Sequence, residues 1–330
     1  MCFHASPLFH YWLMVSVHLE QGAVFVREDG IPRRDEGQSL IRLLAGGICN
    51  TDLELRRGYY GFIGRPGHEF VGEVVESDTP ELKGKRVVGE INLACGRCDW
   101  CARGLGRHCP TRTVLGIVRH PGAFAEYLTL PDTNLKVVPD GIPTEHAVFT
   151  EPLAAASEIL DQVNIPSQAP VAVLGDGKLG LLIGQVLKAH GAEVHQYGRH
   201  PEKLAIARSA GIDTISSSAL PTAAYDWVVE ATGSEAGFRA AANLVRPRGT
   251  IVMKSTIHEP VSIDTAPLIV NEISLVGSRC GRFEPALELL QKGAIRLESM
   301  ISERLPLSRA AEAFDLAARK GVLKVLLTPD

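Results

Sequence analysis

Cys49 and His68 supply a thiol and an imidazole 19 positions apart, inside Gly47-Ile48-Cys49-Asn50-Thr51-Asp52 and Gly67-His68-Glu69. A catalytic zinc takes about three protein ligands and keeps one open position. The third ligand is Glu69 or Glu151; the latter stands in Thr150-Glu151-Pro152-Leu153, near the expected domain cleft. Charge counting says one carboxylate binds at a time. Zn²⁺ with one thiolate and one carboxylate is neutral, and a second carboxylate would weaken the Lewis acid. The spacing leaves open which of the two binds. Asp52 suits an acceptor that orients the ligand imidazole. Thr51, two residues from Cys49, suits a hydroxyl that passes the proton of an alcohol outward through the ribose or waters. Lowering an oxygen acid from about 16 to about 7 is worth on the order of 12 kcal/mol, taking water as reference, so metal acidity is the largest effect such a site offers.

Cys95, Cys98, Cys101 and Cys109 form a second group within 15 residues. Four soft ligands at this spacing suit a closed tetrahedral zinc that staples a loop. The segment includes Gly96, Gly104 and Gly106 and has little apolar content, so metal binding must supply its folding energy. Two disulfides or an iron–sulfur cluster are the alternatives.

The third group is Gly175-Asp176-Gly177-Lys178-Leu179-Gly180, which follows the apolar run Val171 to Leu174 and opens an apolar helical stretch. That context turns a weak glycine pattern into a dinucleotide fingerprint. Gly175 permits the tight turn, Gly177 lets amides approach the pyrophosphate, and Gly180 lets helix pack on strand. The helix N-terminus, at Lys178 and Leu179, attracts the phosphates. About 20 residues on, an acid would bind the adenosine ribose. The chain offers Gly198-Arg199-His200 instead, with a guanidinium suited to phosphate, so NADP is expected and NAD is the alternative.

These groups need two kinds of scaffold. Residues 14–150 read as short strands broken by turns: Val15 to Val26, Ser39 to Leu44, Phe70 to Val75, Arg86 to Asn92, Phe124 to Leu130 and Leu135 to Val138. This predicts an all-β body with loops. Residues 153–163 read as helix. From Val171 the pattern alternates strand and helix: strands at Glu193 to Tyr197, Tyr225 to Glu230, Thr250 to Lys254 and Ser274 to Val276, with helices at Leu179 to His190 and Pro201 to Ala210. Alternation predicts a doubly wound parallel sheet. The last stretch reads as helices near Glu284 to Gln291 and Ser308 to Arg319, then a strand at Val322 to Leu327.

At 330 residues and 45% hydrophobic content, the chain can build two cores. A net charge of −4, with scattered basic residues, argues against nucleic acid or a membrane surface as partner. Seven cysteines, four of them at metal spacing, fit a reducing compartment, the cytoplasm, better than a disulfide framework. The apolar run Phe9 to Val17 is too short for a span of ~20 residues and lacks a signal peptide's basic start. Residues 1–13 are expected to be an extension whose deletion leaves the melting temperature unchanged.

The chain resembles the zinc-containing medium-chain dehydrogenases/reductases of the alcohol dehydrogenase type from residue 14 to its end. The resemblance rests on Gly-Ile-Cys-Asn-Thr-Asp at 47–52, Pro-Gly-His-Glu-Phe at 66–70, the cysteine lobe, Gly122-Ala123-Phe124-Ala125-Glu126-Tyr127, Glu151-Pro152, the glycine fingerprint and Glu230-Ala231-Thr232-Gly233. It implies an α/β chain: a GroES-like β domain holding both zincs (1–155, lobe 95–109), a Rossmann domain (156–281) and a return to the first domain (282–330). It further implies two zinc ions per chain and a homodimer or homotetramer. Arg279, in Gly277-Ser278-Arg279-Cys280, would lie near the nicotinamide ribose. Simple alcohol dehydrogenases usually carry Cys where this chain has Glu151. Glu there is similar to sorbitol, threonine and glucose dehydrogenases and points to a polyol, sugar or amino-alcohol substrate, or its carbonyl. The rivals are a zinc-free quinone or enoyl reductase of the same superfamily and a non-catalytic NADPH-binding or zinc-storage protein. Tyr59, Tyr60 and Phe62 are candidates for lining the substrate pocket or for plain packing.

Overall fold

The computed structural model describes residues 13–218, 220–255 and 262–330. The chain divides into two compact units. Among the described residues, the first takes those up to 137, 304–318 and 326–330, and the second takes those within 138–303 and 319–325.

The first unit is built on strands. The expected single stretch from Val15 to Val26 is two strands, β1 (Leu13–Glu20) and β2 (Ala23–Gly30), in antiparallel register Leu13↔Gly30 to Glu20↔Ala23. Gln21 (φ 49°) and Gly22 (φ 82°) make the turn between them, in the left-handed region that a two-residue hairpin of this kind requires. Leu13 therefore belongs to the fold, and the rest of the expected extension, residues 1–12, lies outside the described residues. Next come β3 (Gln38–Gly47), helix α1 (Asn50–Arg56), β4 (Glu69–Glu76) and β5 (Arg86–Gly89). The expected strand Arg86 to Asn92 is broken after Gly89, and β6 is only Asn92–Leu93. Helix α2 (Asp99–Ala102) lies in the cysteine lobe, followed by β7 (Thr113–Leu115), β8 (Arg119–His120), β9 (Tyr127–Pro131) and β10 (Leu135–Val137). The all-β expectation thus missed α1 and α2, and β9 starts three residues later than expected.

The main sheet of this unit runs β10-β5-β4-β3 and continues into Lys324–Thr328 and Ile301–Pro306, with β9 also paired to β3. Leu326 and Leu327 pair with Gly47 and Gly46, at the end of β3 that leads into Cys49. Ile41 and Leu43 of β3 and Val71 and Val74 of β4 are fully buried. At ~25 cal/mol per Å² of apolar surface, each such aliphatic side chain stabilises the unit by roughly 1.5–3 kcal/mol.

The second unit begins with helices α3 (Thr144–Ala147) and α4 (Thr150–Gln162). Then β11 (Pro170–Leu174), α5 (Lys178–His190), β12 (Glu193–Gly198), α6 (Pro201–Ser209), β13 (Asp213–Ser216) and β14 (Tyr225–Glu230) alternate. Helix α7 (Glu235–Leu244), β15 (Val245–Met253), α8 (Ala266–Val270), β16 (Ser274–Gly277) and α9 (Phe283–Gln291) follow. The six strands are parallel, in the order β13-β12-β11-β14-β15-β16. Strand order reverses between β11 and β14, and crevices at such a reversal are where open α/β sheets bind ligands. The strands β11 and β14 read as apolar runs because both of their faces are covered: Val171, Ala172, Val173, Val228 and Val229 are fully buried. No helix among the described residues is long and apolar enough to cross a membrane.

Candidate metal centres and nucleotide site

Two groups of potential metal ligands form among the described residues, and both lie in the first unit. In one, a ligand atom from each of Cys49, His68 and Glu69 lies within 4.8 Å of the others. Cys49 is the residue before the first turn of α1, with extended backbone (φ −87°, ψ 161°). Cys49 is half-buried there, while His68 and Glu69 are 3% and 1% exposed.

Asp52 ties these parts together. It is fully buried, yet its carboxylate is well supplied with donors. Oδ2 accepts the Cys49 backbone N–H at 2.9 Å, and Oδ1 accepts the Gly67 N–H at 3.1 Å and stands 3.5 Å from His68 Nδ1. Both ligand segments are thereby indexed to one side chain. With Nδ1 facing Asp52, Nε2 is the nitrogen left to bind a metal. Burial would lower the His68 pKa, but the Asp52 and Cys49 charges beside it prevail and hold the imidazole well above its ordinary value. Thr51 Oγ1 is 3.7 Å from Cys49 Sγ, which places its hydroxyl beside the cluster.

The turn carrying His68 is strapped from behind. Gly122 N donates to Arg65 O at 2.7 Å, Ala123 N to Gly67 O at 2.8 Å and Phe124 N to Pro66 O at 3.1 Å. Gly67 has φ +101°, and a Cβ there would stand 2.5 Å from the Phe124 ring, so both conformation and space require glycine. The Phe124 ring meets Phe314 edge-on at 6.1 Å, which anchors the strap to helix Ala310–Ala317.

The donor set fits zinc. One sulfur, one nitrogen and one carboxylate oxygen converge, and a fourth position remains for a substrate. Glu151 heads α4 in the second unit and is no member of this group. In the lobe, Sγ atoms are 3.5 Å apart for Cys98 and Cys101, 3.7 Å for Cys98 and Cys109, and 3.9 Å for Cys95 and Cys101. A tetrahedron with Zn–S of about 2.3 Å has edges of about 3.8 Å. A disulfide needs about 2.05 Å, and all four cysteines are free, so the disulfide alternative does not describe this structure.

In the second unit the glycine loop has the expected build. Gly175 has φ +117°, and a Cβ there would be 2.6 Å from Ala231 O. A Cβ on Gly180 would be 2.3 Å from Gly175 O, which sets the close approach of α5 to the loop. A Cβ on Gly177 would meet nothing in the chain, so the cradle at the N-terminus of α5, where Lys178 and Leu179 follow, is open to a phosphate. Gly198 ends β12, and Arg199 extends into solvent next to half-buried His200.

Two residues that the sequence reading did not single out organise this unit. Asp176, 7% exposed, accepts the backbone N–H groups of Arg199 and His200 through Oδ2, each at 2.7 Å. His200 Nδ1 is 3.0 Å from each of its oxygens. Burial would raise the Asp176 carboxyl, but His200 and the two backbone donors prevail and hold it below the ordinary carboxylate range. Lys254, also 7% exposed, directly follows β15 and donates from Nζ to Ser278 Oγ at 2.9 Å and to Arg279 O at 2.7 Å. Burial pushes its pKa down to about 8, opposed by the charges of Cys280, Glu158 and Glu151. The signals were present. A charged residue inside a glycine loop and a lysine closing the apolar strand Thr250-Ile251-Val252-Met253 both need partners when buried.

Residues 35–140 match the family model described as alcohol dehydrogenase GroES-like domain, and residues 179–292 match that of zinc-binding dehydrogenase. The chain is 30% identical to D-arabitol-phosphate dehydrogenase of Enterococcus avium, over 90% of this chain and 91% of that protein. A zinc-binding dehydrogenase of Sinorhizobium meliloti 1021, solved bound to NADP, superposes with a TM-score of 0.90 at 30% identity, covering 96% of this chain and 100% of its own. An alcohol dehydrogenase (rspB) of E. coli CFT073, solved with NADH, superposes at 0.88 with 27% identity, covering 96% of this chain and 99% of its own.

Proposed function

The chain belongs to the zinc-containing medium-chain dehydrogenases/reductases of the alcohol dehydrogenase superfamily, and from that premise we propose that it oxidises a secondary alcohol of a polyol, or reduces the matching carbonyl, with NADP as the preferred cofactor. The observation that carries the reading is the convergence of Cys49, His68 and Glu69 within 4.8 Å, with the Thr51 hydroxyl 3.7 Å from the Cys49 sulfur, in a chain that also holds an open dinucleotide cradle.

Cys49, His68 and Glu69 hold the catalytic metal, and Cys95, Cys98, Cys101 and Cys109 hold the structural one. A zinc ion held there would supply Lewis acidity toward the oxygen of an alcohol or carbonyl. Thr51 Oγ1 accepts the hydroxyl proton of the substrate as it passes its own outward to the ribose or water. Asp52 keeps the His68 imidazole oriented through Nδ1. Residues 1–155 and 282–330 do the catalytic work and 156–281 bind the nucleotide; the compact units, which cut at 137 and 303, trace packing instead of this division of labour.

NADP is favoured because the end of β12 carries no free carboxylate. Asp176 is occupied by Arg199 and His200, and the exposed Arg199 guanidinium has no partner among the described residues. Comparing kcat/KM for the two cofactors tests this, and a preference for NAD overturns it. A homodimer is proposed through β16, an edge strand of the six-stranded sheet with Leu275 exposed, next to exposed Ile269 and Val270 on α8. Light scattering on Leu275→Lys tests it. Four free cysteines at metal spacing fit the cytoplasm.

Absorbance at 340 nm with a panel of polyols and polyol phosphates, before and after chelation, tests the activity. Turnover of a polyol that chelation abolishes is the expected result. Chelator-insensitive quinone reduction, or tight NADPH binding with no turnover, refutes it. Cys49→Ser is expected to abolish turnover while NADPH binding survives.

A further inference from the structure

The glycine loop normally faces a cofactor with backbone alone, and a buried carboxylate in it is a cost that needs an explanation. Here the carboxylate of Asp176 turns toward the neighbouring strand end. Oδ2 takes the N–H groups of Arg199 and His200, and Nδ1 of His200 is 3.0 Å from both oxygens. A Cβ on Gly198 would sit 2.6 Å from Asp176 Oδ2 and 2.8 Å from Leu204 Cδ2, so this glycine makes the room that the carboxylate occupies. Three donors on a side chain only 7% exposed leave it unsuited to receive a ribose diol.

Resting on the NADP reading, we propose that Asp176 and His200 form a couple that completes the 2′-phosphate site: Asp176 holds the imidazole by Nδ1, and His200 takes up a proton so that Nε2 donates to the phosphate beside Arg199. The tautomer dictates the proton. Nδ1 must carry hydrogen to donate to the carboxylate, so in neutral His200 the outer nitrogen is a bare acceptor. It donates to a phosphate only as imidazolium. Nε2 has no partner among the described residues, and the ring is half-buried. The other charged groups around the turn are Arg199, Lys178 at the start of α5, and Glu202 and Lys203 in the first turn of α6; β12 ends there in Gly198 and β13 in uncharged serines. Asp176 is thus a positioning residue and His200 a binding residue. The balance is one proton drawn from solvent for each 2′-phosphate bound, and none for a cofactor lacking it.

Calorimetric titration of the full chain with NADPH, NADH and 2′,5′-ADP tests this, at pH 8 in two buffers of different ionisation enthalpy. At that pH the free 2′-phosphate, with a second pKa of about 6, is already dianionic. Wild type is expected to take up more protons with NADPH and 2′,5′-ADP than with NADH. His200→Ala is expected to weaken NADPH binding about tenfold or more, the worth of a charge-assisted hydrogen bond, and to leave NADH within about twofold. Asp176→Asn keeps an acceptor for the backbone N–H groups but offers an amide donor to Nδ1. This moves the hydrogen of neutral His200 to Nε2, so the extra proton uptake is expected to vanish. Equal uptake for both cofactors, uptake retained in Asp176→Asn, or an equal loss for both cofactors in His200→Ala each overturns the couple while leaving an NADP preference standing. Tighter binding of NADH than NADPH by wild type, with no binding of 2′,5′-ADP, overturns the NADP reading itself and the couple with it.

Discussion

Asp52 Oδ1 stands 3.5 Å from His68 Nδ1, and neither side chain is more than 3% exposed. Because the same carboxylate also fixes the Cys49 and Gly67 backbones, its loss should be felt at both ligands. Partners of metal-bound imidazoles typically matter 10- to 100-fold in metal affinity or activity. Asp52→Asn is therefore expected to lower kcat/KM by about that factor and to speed zinc loss to a chelator. Unchanged activity together with unchanged zinc retention would count against the role given to Asp52.

Metal content separates the two glutamates. Glu69 belongs to the three-residue cluster in the first unit, and Glu151 heads a helix in the second. Glu69→Ala is expected to lose the catalytic metal and keep the lobe metal, halving the zinc measured by mass spectrometry. Glu151→Ala is expected to keep both ions. The opposite pattern would make Glu151 the third ligand.

The lobe metal is expected to serve stability. Its Sγ atoms are 3.5–3.9 Å apart and contribute nothing to the Cys49 cluster. Cys98→Ser should leave about one zinc per chain and lower the melting temperature, because the lobe has little apolar core to replace the metal. Iron in the purified protein, or an unchanged melting curve, would contradict this.

Lys254 gives the fold a pH dependence of definite sign. Its pKa is about 8 in the fold against an ordinary 10.5. Below pH 8 both states hold the proton, and the folded state bears the cost of a buried ammonium. Between about 8 and 10.5 the unfolded chain binds the proton that the folded chain has lost, so stability rises with pH. The increment is at most about 3 kcal/mol. Urea unfolding at pH 7.5 and 9.5 is expected to show this gain in wild type and to lose it in Lys254→Met.

Much of this was legible in the residue pattern, for local reasons. Gly175, Gly177 and Gly180 read correctly as a strand-to-helix loop because the apolar run before them and the helix after them are contiguous in the chain. The four cysteines of the lobe, which fall within 15 residues, come together as their spacing suggested. What escaped notice depends on residues far apart in the chain. The Asp176 partners are 23 and 24 positions on, and those of Lys254 are 24 and 25 on. Helix α1 was hidden because the Cys49-to-Asp52 motif read as ligand chemistry, although an acid three residues after Cys49 also marks a helix start. The choice between Glu69 and Glu151 rested on charge counting, which treats both alike; proximity groups only Glu69 with Cys49 and His68.

The strand that delivers Cys49 is completed by the far end of the polypeptide, where Leu326 and Leu327 lie against Gly47 and Gly46. During synthesis the thiol, imidazole and carboxylate emerge from the ribosome some 250 residues before the neighbour that borders them. The nascent chain therefore carries these ligands while the strand that pairs with Gly46 and Gly47 has yet to be made.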